Sequence, residues 1–534
     1  MARHSIDDIP LLSAVSDYVA HYAAATPDAE ALKGGGRRYT YAELSAEVDR
    51  TARALLAAGI GRGDRVATLS PPNPDFWILF LATASIGAIW LGLNPRYSRA
   101  ELAYVVADAD PKLIFGRLSA GGRDFTGDLL ALAEVGAAMP RPLVALDGEA
   151  AGFDRLADFL AAGDALSPQV LAAARSGVGG RQPCLLVYTS GTTGRPKGAV
   201  LHHLGLITTN RVRLSYARAT PARVVTFLPV NHVGCVGDTG CTILLAGGCL
   251  ILMEQFEPQA TLRLMQDERA TIWGSVPTTF QLCLEQPDFA EFDLSALQLI
   301  TWGGARMPAE LIARLATICP NLATDYGMTE TIGSITYTEP GDDLEVLAET
   351  VGRPPPEFEV RIATPEGIPV PAGSEGEVQV RGPFVMLEYW GRPDATAETI
   401  DAEGWLHTRD LAVERPDGRY RLVGRLSEMF KSGGYNVYPR EVEQALEAHG
   451  SVATAAVVGV DDPLYGEAGF AFVQLEPGAA LDLEELRAFC RARLANYKVP
   501  KAIEVMPALP LLPLGKIDKP ALRQRVLAAR GAAQ

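Results

Sequence analysis

The chain reads as an α/β protein built on mostly parallel sheets and followed by a small α+β domain. Three observations carry that reading. Up to about residue 420, amphipathic helices alternate with short apolar strands and Gly/Pro/Asn turns, as where Ala42 to Ala58 is followed by Val66 to Leu69. From Gly376 the texture changes to shorter alternating strands, Glu377 to Arg381 and Arg419 to Val423, separated by turns such as Pro416-Asp417-Gly418, which marks a subdomain. After Gly424-Arg425 comes a compact tail: a helix over Pro439 to His449, strands near Val452 to Val460 and Gly469 to Leu475, and a helix near Leu483 to Leu494. The expected boundary lies at 425 to 428, giving domains 1–425 and 426–534.

Phe76 to Leu93 is eighteen residues without a charge, the length at which a membrane helix becomes a candidate. Ser85 and Gly87 interrupt it and Pro74 and Pro95 bracket it, so we expect a helix ending near Gly87 and a buried strand over Ala88 to Leu93. No membrane span is expected.

With 534 residues, 48% of them hydrophobic, the chain can bury several cores. A formal net charge of −16 argues against a general nucleic-acid or anionic-membrane binder, so an anionic ligand must be held by local positive groups. Seven cysteines, odd in number, scattered and never in a CxxC pair, disfavour a disulfide framework and a zinc site and suit a reducing compartment. The opening residues carry acids where a signal peptide needs an apolar core, so export is not expected and the cytoplasm is the expected location.

The stretch YTSGTTGRPKG, 188 to 198, concentrates hydroxyls, glycines and one lysine after the strand-like Cys184 to Tyr188. It is not a Walker loop. Pro196 precedes Lys197 and has no NH to donate, and Gly198 follows it where a hydroxyl would hold magnesium. Amides, rotating hydroxyls and a lysine nevertheless suit a polyanionic phosphate chain. A plain Gly/Thr-rich surface loop is the alternative.

This stretch resembles the phosphate-binding signature of the adenylate-forming superfamily of acyl-CoA synthetases, adenylation enzymes and luciferases. Further segments resemble that family's motifs in order. LPVNHVG, 228 to 234, has Asn231 where the family usually has an aromatic residue and His232 where it has histidine, at the mouth of the acyl pocket. TWGGARMP, 301 to 308, is similar to the glycine turn that lies against adenine. DYGMTE, 325 to 330, and GWLHTRD, 404 to 410, follow, with Arg409 replacing the usual glycine before Asp410. GRLSEMFKSGGYNVYPREVE, 424 to 443, looks like the hinge, with Ser427 at the position commonly Asp or Lys. LPLLPLGKIDK, 509 to 519, places Lys516 at the adenylation lysine, with leucines replacing its usual polar neighbours.

The resemblance implies a large N-terminal domain of stacked α/β sheet subdomains, a small β-barrel-like subdomain and a mobile C-terminal domain. It implies ATP, Mg²⁺ and coenzyme A as co-substrates and metal. Lys516, Thr329, Glu330 and His232 are the implied catalytic residues, with Glu330 on the metal. ATP would be held by Thr189, Ser190, Gly191, Thr192, Thr193, Gly194, Lys197, Gly303, Gly304, Ala305, Asp325, Tyr326, Gly327, Met328, Thr329, Asp410, Arg425 and Lys516. Tyr326 would stack on adenine, Thr329 would bond the α-phosphate and Asp410 would take both ribose hydroxyls. Lys431, Gly433 and Gly434 would line the coenzyme A tunnel. Asn231, His232, Val233, Cys235, Trp302 and Gly303 would line the acid pocket.

The implied activity is an ATP-dependent carboxylic acid–CoA ligase. An acyl-AMP ligase loading a carrier protein and a non-catalytic nucleotide-binding relative are the alternatives, and Gly433-Gly434 favours the first. The pocket stretch holds no acid until Asp238, so a fatty or aryl acid is expected rather than an amino acid. The chain ends soon after Lys516 with no carrier domain, so the acceptor is expected in trans, and a homodimer is an expected assembly.

Overall fold

The structure is a computed structural model that describes residues 4–136, 138–189, 195–426, 428–433, 435–511 and 517–531. Its contacts divide the chain into one unit of residues 1–359 and 380–406 and another of residues 360–379 and 407–534.

In the first unit the expected helix–strand alternation is present. Helix Tyr41–Ala57 starts at a capping box in which the Thr40 hydroxyl takes the Glu43 amide and the Glu43 carboxylate takes the Thr40 amide. The uncharged stretch splits as expected, into helix Pro74–Ser85 and strand Ile89–Leu93, both buried. Asn73 caps that helix through the Phe76 amide at 3.2 Å and Pro74 opens its first turn. Its aromatic residues Phe76, Trp77 and Phe80 pack with Trp90 in the largest hydrophobic cluster. Burying each such side chain stabilises the fold by roughly 1.5–3 kcal/mol. No helix among the described residues is long and apolar enough to cross a membrane.

Two large sheets organise this unit. An eight-stranded sheet runs Gly333–Tyr337, Leu322–Met328, Leu299–Trp302, Ile272–Ser275, Arg223–Thr226, Cys249–Leu252, Glu30–Gly34 and Arg37–Thr40. A seven-stranded sheet runs Lys197–His202, Pro183–Thr189, Ile89–Leu93, Arg65–Leu69, Leu113–Gly116, Leu143–Ala145 and Asp154–Arg155. Parallel pairs dominate their interiors, and each sheet begins or ends in an antiparallel hairpin. Those hairpins, Pro183–Thr189 with Lys197–His202 and Leu322–Met328 with Gly333–Tyr337, carry the two motifs expected to meet phosphate.

The second unit contains a four-stranded sheet in the order Glu359–Ala363, Glu375–Arg381, Leu406–Glu414, Tyr420–Arg425. It also contains a five-stranded sheet, in which Val452–Asp462 pairs antiparallel with Gly466–Leu475 and Ala502–Val505 lies parallel to the latter. Helices Pro439–Glu447 and Leu483–Arg491 bury Val442, Leu446, Leu486 and Cys490 in the same cluster as that sheet. Both end two or three residues before the sequence reading, where Ala448 and Ala492 act as C-caps. All seven cysteines are buried and unpaired.

Candidate active site

The hairpin ending the eight-stranded sheet shapes the DYGMTE segment. Strand Leu322–Met328 turns through a short 3-10 helix, Thr329–Thr331, into Gly333–Tyr337. A side chain on Gly327 is impossible here, because its Cβ would lie 2.1 Å from the Gly333 carbonyl oxygen. The turn is closed by the Thr331 hydroxyl, 2.6 Å from the Gly333 oxygen, and by Ile332, which adopts φ 54°. A buried β-branched residue in the left-handed region is strained, and such strain persists only where surrounding contacts fix it. Here the Thr209 hydroxyl contacts the Ile332 carbonyl at 3.1 Å, and the Met386 amide donates to the Glu330 carbonyl at 2.9 Å. Thr329 and Glu330 are thereby fixed and buried, at 6% and 5% exposure.

The Glu330 carboxylate is held by neutral donors. Its Oε1 accepts from the Tyr389 hydroxyl at 2.7 Å and from the Thr189 hydroxyl at 3.4 Å. Burial, and then the Glu330 charge, hold the Tyr389 phenol far above its ordinary pKa, so it stays a donor. Lys197 lies opposite Thr189 in the hairpin register, and its Nζ sits 5.1 Å from the centre of the Tyr389 ring. Tyr389 therefore links the lysine of one motif to the carboxylate of another. Sequence reasoning missed it, although the LEYWG turn at 387 to 391, between apolar Val385-Met386 and a Pro-capped helix, was a visible signal.

Strand Leu299–Trp302 runs parallel to Leu322–Met328 with Trp302 opposite Thr324, which brings Gly303 beside Asp325. A Cβ at Gly303 would lie 2.9 Å from the Asp325 carboxylate, and Gly304 takes φ 76°. Ala305 follows in the same turn, while the Trp302 indole is buried with Trp273, Ile300 and Ile312 in the second hydrophobic cluster. Tyr326 is 8% exposed, and the Met328 amide donates to the Thr331 hydroxyl at 3.0 Å.

In the acid-pocket stretch, the Asn231 amide nitrogen donates to the Tyr97 hydroxyl at 3.2 Å, and its buried carbonyl oxygen has no hydrogen-bond partner among the described residues. The His232 Nδ1 accepts from the Gly234 amide at 3.0 Å. Val233 and Cys235 are buried in the largest cluster, and burial pushes the Cys235 thiol far up. A π-helical segment, Gly234–Gly240, follows Val233 and contains Cys235.

In the second unit Asp410 is 4% exposed and its carboxylate lies 2.5 Å from the Arg425 Nε. Arg409 takes φ 61°, the left-handed conformation that glycine adopts freely. The buried Glu377 holds it there by accepting the Arg409 amide at 3.0 Å. Lys431 is exposed and its amide donates to Glu467 at 2.9 Å; the Gly433 amide donates to the Tyr465 carbonyl at 2.8 Å. Lys519, three residues beyond the expected adenylation lysine, pairs with Glu443 at 2.8 Å and with Glu428. Ser190, Gly191, Thr192, Thr193, Gly194, Ser427, Gly434 and Lys516 lie outside the described residues.

The buried Glu330 carboxylate among neutral donors, with the Thr189 hydroxyl beside it and Lys197 across the Tyr389 ring, is an arrangement suited to a phosphate group and its counter-ion. The family described as AMP-binding enzyme matches residues 19–390, and AMP-binding enzyme C-terminal domain matches 441–516. The chain belongs to the AMP-binding enzyme family. A feruloyl-CoA synthase from Amycolatopsis is 38% identical over 505 residues, 94% of this chain and 97% of that protein. A ligase of Mycobacterium tuberculosis named for coenzyme A and a 7a-methyl-1,5-dioxo-octahydro-indenyl propanoyl group is 35% identical, covering 93% and 96%. The solved amide bond synthetase from Marinactinospora thermotolerans superposes with TM-score 0.82 at 31% identity, covering 96% and 99%.

Proposed function

We propose that this protein activates a fatty or, preferentially, ring-bearing carboxylic acid as an acyl-adenylate and passes the acyl group to coenzyme A. The observation that carries this reading is the linkage of Lys197, Tyr389, Glu330 and Thr189, which gathers two separate motifs around one buried carboxylate. The relatives named for feruloyl and indenyl propanoyl groups support a ring-bearing acid.

A carboxylate is a poor electrophile, since its charge repels nucleophiles and its leaving group would be oxide. Attack by a carboxylate oxygen on the α-phosphorus of ATP forms the acyl-adenylate and expels pyrophosphate, and positive charge around the phosphoryl oxygens lowers the barrier. We assign that charge to Lys197, Lys516 and a magnesium ion. No group of three or more His, Cys, Asp or Glu among the described residues could hold a metal alone. Glu330 fits an ion that draws its other ligands from phosphate and water, as magnesium does. Bound there, magnesium would neutralise phosphate charge. Tyr389 and Thr189 orient the carboxylate that would receive it.

Thr189, the 190–194 loop and Lys197 are assigned to the β- and γ-phosphates, Thr329 to the α-phosphate, and Gly303, Gly304, Ala305, Asp325, Tyr326, Gly327 and Met328 to the adenosine. Asp410 and Arg425 are assigned to the ribose, and Lys431 with Gly433 and Gly434 to coenzyme A. His232 is assigned to the mouth of the acid pocket. The proposal includes a boundary at 425, Ser427 as pivot, a cytoplasmic location and a homodimer.

The test is pyrophosphate release on ATP, Mg²⁺ and a panel of fatty, benzoic and cinnamic acids, with and without coenzyme A. Acyl-CoA formation is expected, and Lys516→Ala should cut adenylate formation by about 10²–10³ while sparing thioester formation from prepared acyl-adenylate within about tenfold. Acyl-AMP that accumulates and is not consumed by coenzyme A would instead favour a carrier-protein thiol as acceptor. Equal loss of both half-reactions in folded protein would remove Lys516 from its role.

A further inference from the structure

We propose that Asp238 and Arg213 form a recognition site for a hydroxyl group at the end of the acid remote from its carboxylate. This deepens the ligase reading and rests on it for the identity of the ligand as an acid.

Three segments converge here. Arg213 lies in the last turn of helix His203–Tyr216, Asp238 in the segment Gly234–Gly240 that follows Val233 and contains Cys235, and Asp325 beside Gly303. The Arg213 Nη2 lies 3.0 Å from one Asp325 oxygen, and the other accepts from the Ser334 hydroxyl at 2.7 Å. Asp325 is therefore satisfied. Asp238 is not: its nearest partner is the Arg213 Nη1 at 3.7 Å, beyond hydrogen-bond reach, and no described residue donates to it. A carboxylate placed there for structure alone is costly, because burial without a hydrogen bond is unfavourable. Burial accordingly pushes the Asp238 carboxyl up to about 7, with Arg213 opposing and Asp325 adding.

The site is kept open. The Asp238 and Arg213 side chains retain 22% and 18% exposure although they lie among buried elements, so a small probe reaches both. A Cβ on Gly333 would lie 2.7 Å from the Asp238 oxygen and 3.4 Å from the Thr209 hydroxyl, and the φ of 132° there is one side chains avoid. Of the other neighbours, the Tyr337 hydroxyl is committed to the Ser334 carbonyl at 2.8 Å, and burial keeps the Cys241 thiol protonated.

The donor and acceptor decide the ligand chemistry. A hydroxyl oxygen in the gap accepts from the guanidinium and donates to the carboxylate, satisfying both. With Asp238 ionised, a ketone, which only accepts, leaves the carboxylate unmet, an ammonium, which only donates, leaves the guanidinium unmet, and a methyl meets neither. Charge points the same way, since Asp325 already neutralises Arg213 and leaves no free cation for a second carboxylate.

The experiment uses matched acids, para-hydroxycinnamate against cinnamate and omega-hydroxyoctanoate against octanoate. Dissociation constants are read by calorimetry without ATP, and kcat/KM by pyrophosphate release. The hydroxylated acid is expected to be favoured on the order of ten- to a hundredfold, as for one hydrogen bond to a charged group. Asp238→Leu should bring the ratio within about threefold of one, and the isosteric Asp238→Asn, which keeps the fold, should lower it in part. A wild-type ratio of one or less overturns the proposal, as does a ratio unchanged in both variants or a stronger preference for para-aminocinnamate. Binding preference without pyrophosphate release upholds the hydroxyl site and overturns the ligase reading; turnover without preference does the reverse.

Discussion

Glu330 in the first unit and Asp410 in the second are buried to nearly the same degree, 5% and 4% exposed, and are held in opposite ways. Glu330 receives a phenol and a hydroxyl and no cation among the described residues. Asp410 is capped at 2.5 Å by a half-exposed guanidinium. A buried anion with only neutral donors retains a demand for positive charge, which a metal can meet. One already paired has its charge met and suits hydroxyl donors instead. The surroundings, rather than the residue type, separate the two assigned roles.

The largest expected effect tests the first half of that contrast. Glu330→Gln keeps the shape and the oxygen that Tyr389 contacts but removes the charge. Adenylate formation should fall by about 10²–10³, with the Mg²⁺ titration moved to higher concentration. An unchanged Mg²⁺ dependence in folded protein would end the metal assignment.

Acid should distinguish the two units next. His202 and His203 are fully buried in the first unit, and desolvation lowers both to about 4 from an ordinary 6.5. The His202 Nδ1 accepts from the Gly205 amide at 3.0 Å and its Nε2 lies 3.1 Å from the Val385 carbonyl, a pairing that requires the neutral ring. Because the folded value is depressed, stability is present above pH 6.5 and lost as pH falls towards 4, by up to a few kcal/mol. Hydrogen exchange across that range should show the first unit loosening before the second.

Asp410→Ala should weaken ATP use by roughly 1.5–3 kcal/mol for each charge-assisted bond lost, with the KM for the acid little changed. Steady-state kinetics with each substrate varied in turn would reveal the opposite pattern. Tyr389→Phe keeps the ring under Lys197 and deletes only the donor to Glu330. The apparent Mg²⁺ affinity should drop about tenfold, as when a partner behind a metal ligand is removed.

The smallest effect is at Arg409. The left-handed conformation costs a non-glycine residue about 1–2 kcal/mol, and glycine returns roughly 0.5–1 of that through chain entropy. Arg409→Gly should therefore raise stability by no more than about 1 kcal/mol, measured as a small rise in Tm. A fall would mean that the arginine side chain stabilises this turn.

Most of the fold was legible in the sequence because its signals are local. The capping pair Thr40 and Glu43 and Asn73-Pro74 before an apolar helix each act within a few residues. The alternation of Glu377 to Arg381 marked a strand, but not its burial, since Glu377 and Gln379 are buried along with Val378 and Val380. The motifs were legible for the same reason, each being one contiguous turn whose glycines and hydroxyls reflect a local backbone need. Gly327 shows the limit of that. Its place in DYGMTE was plain, but the 2.1 Å approach of the Gly333 carbonyl that forbids a side chain depends on how the hairpin pairs.

The sequence by itself determined the alternation of helix and strand, the two-part organisation and the family, since residue type and spacing suffice for those. Only the tertiary structure decided which groups surround each carboxylate. Tyr389 reaches Glu330 across 59 residues of chain, and Arg213 meets Asp238 and Asp325 from a separate helix. Such partners leave no periodic trace, because register and packing bring them together, and it is their charge and hydrogen bonding that set what a buried acid can do.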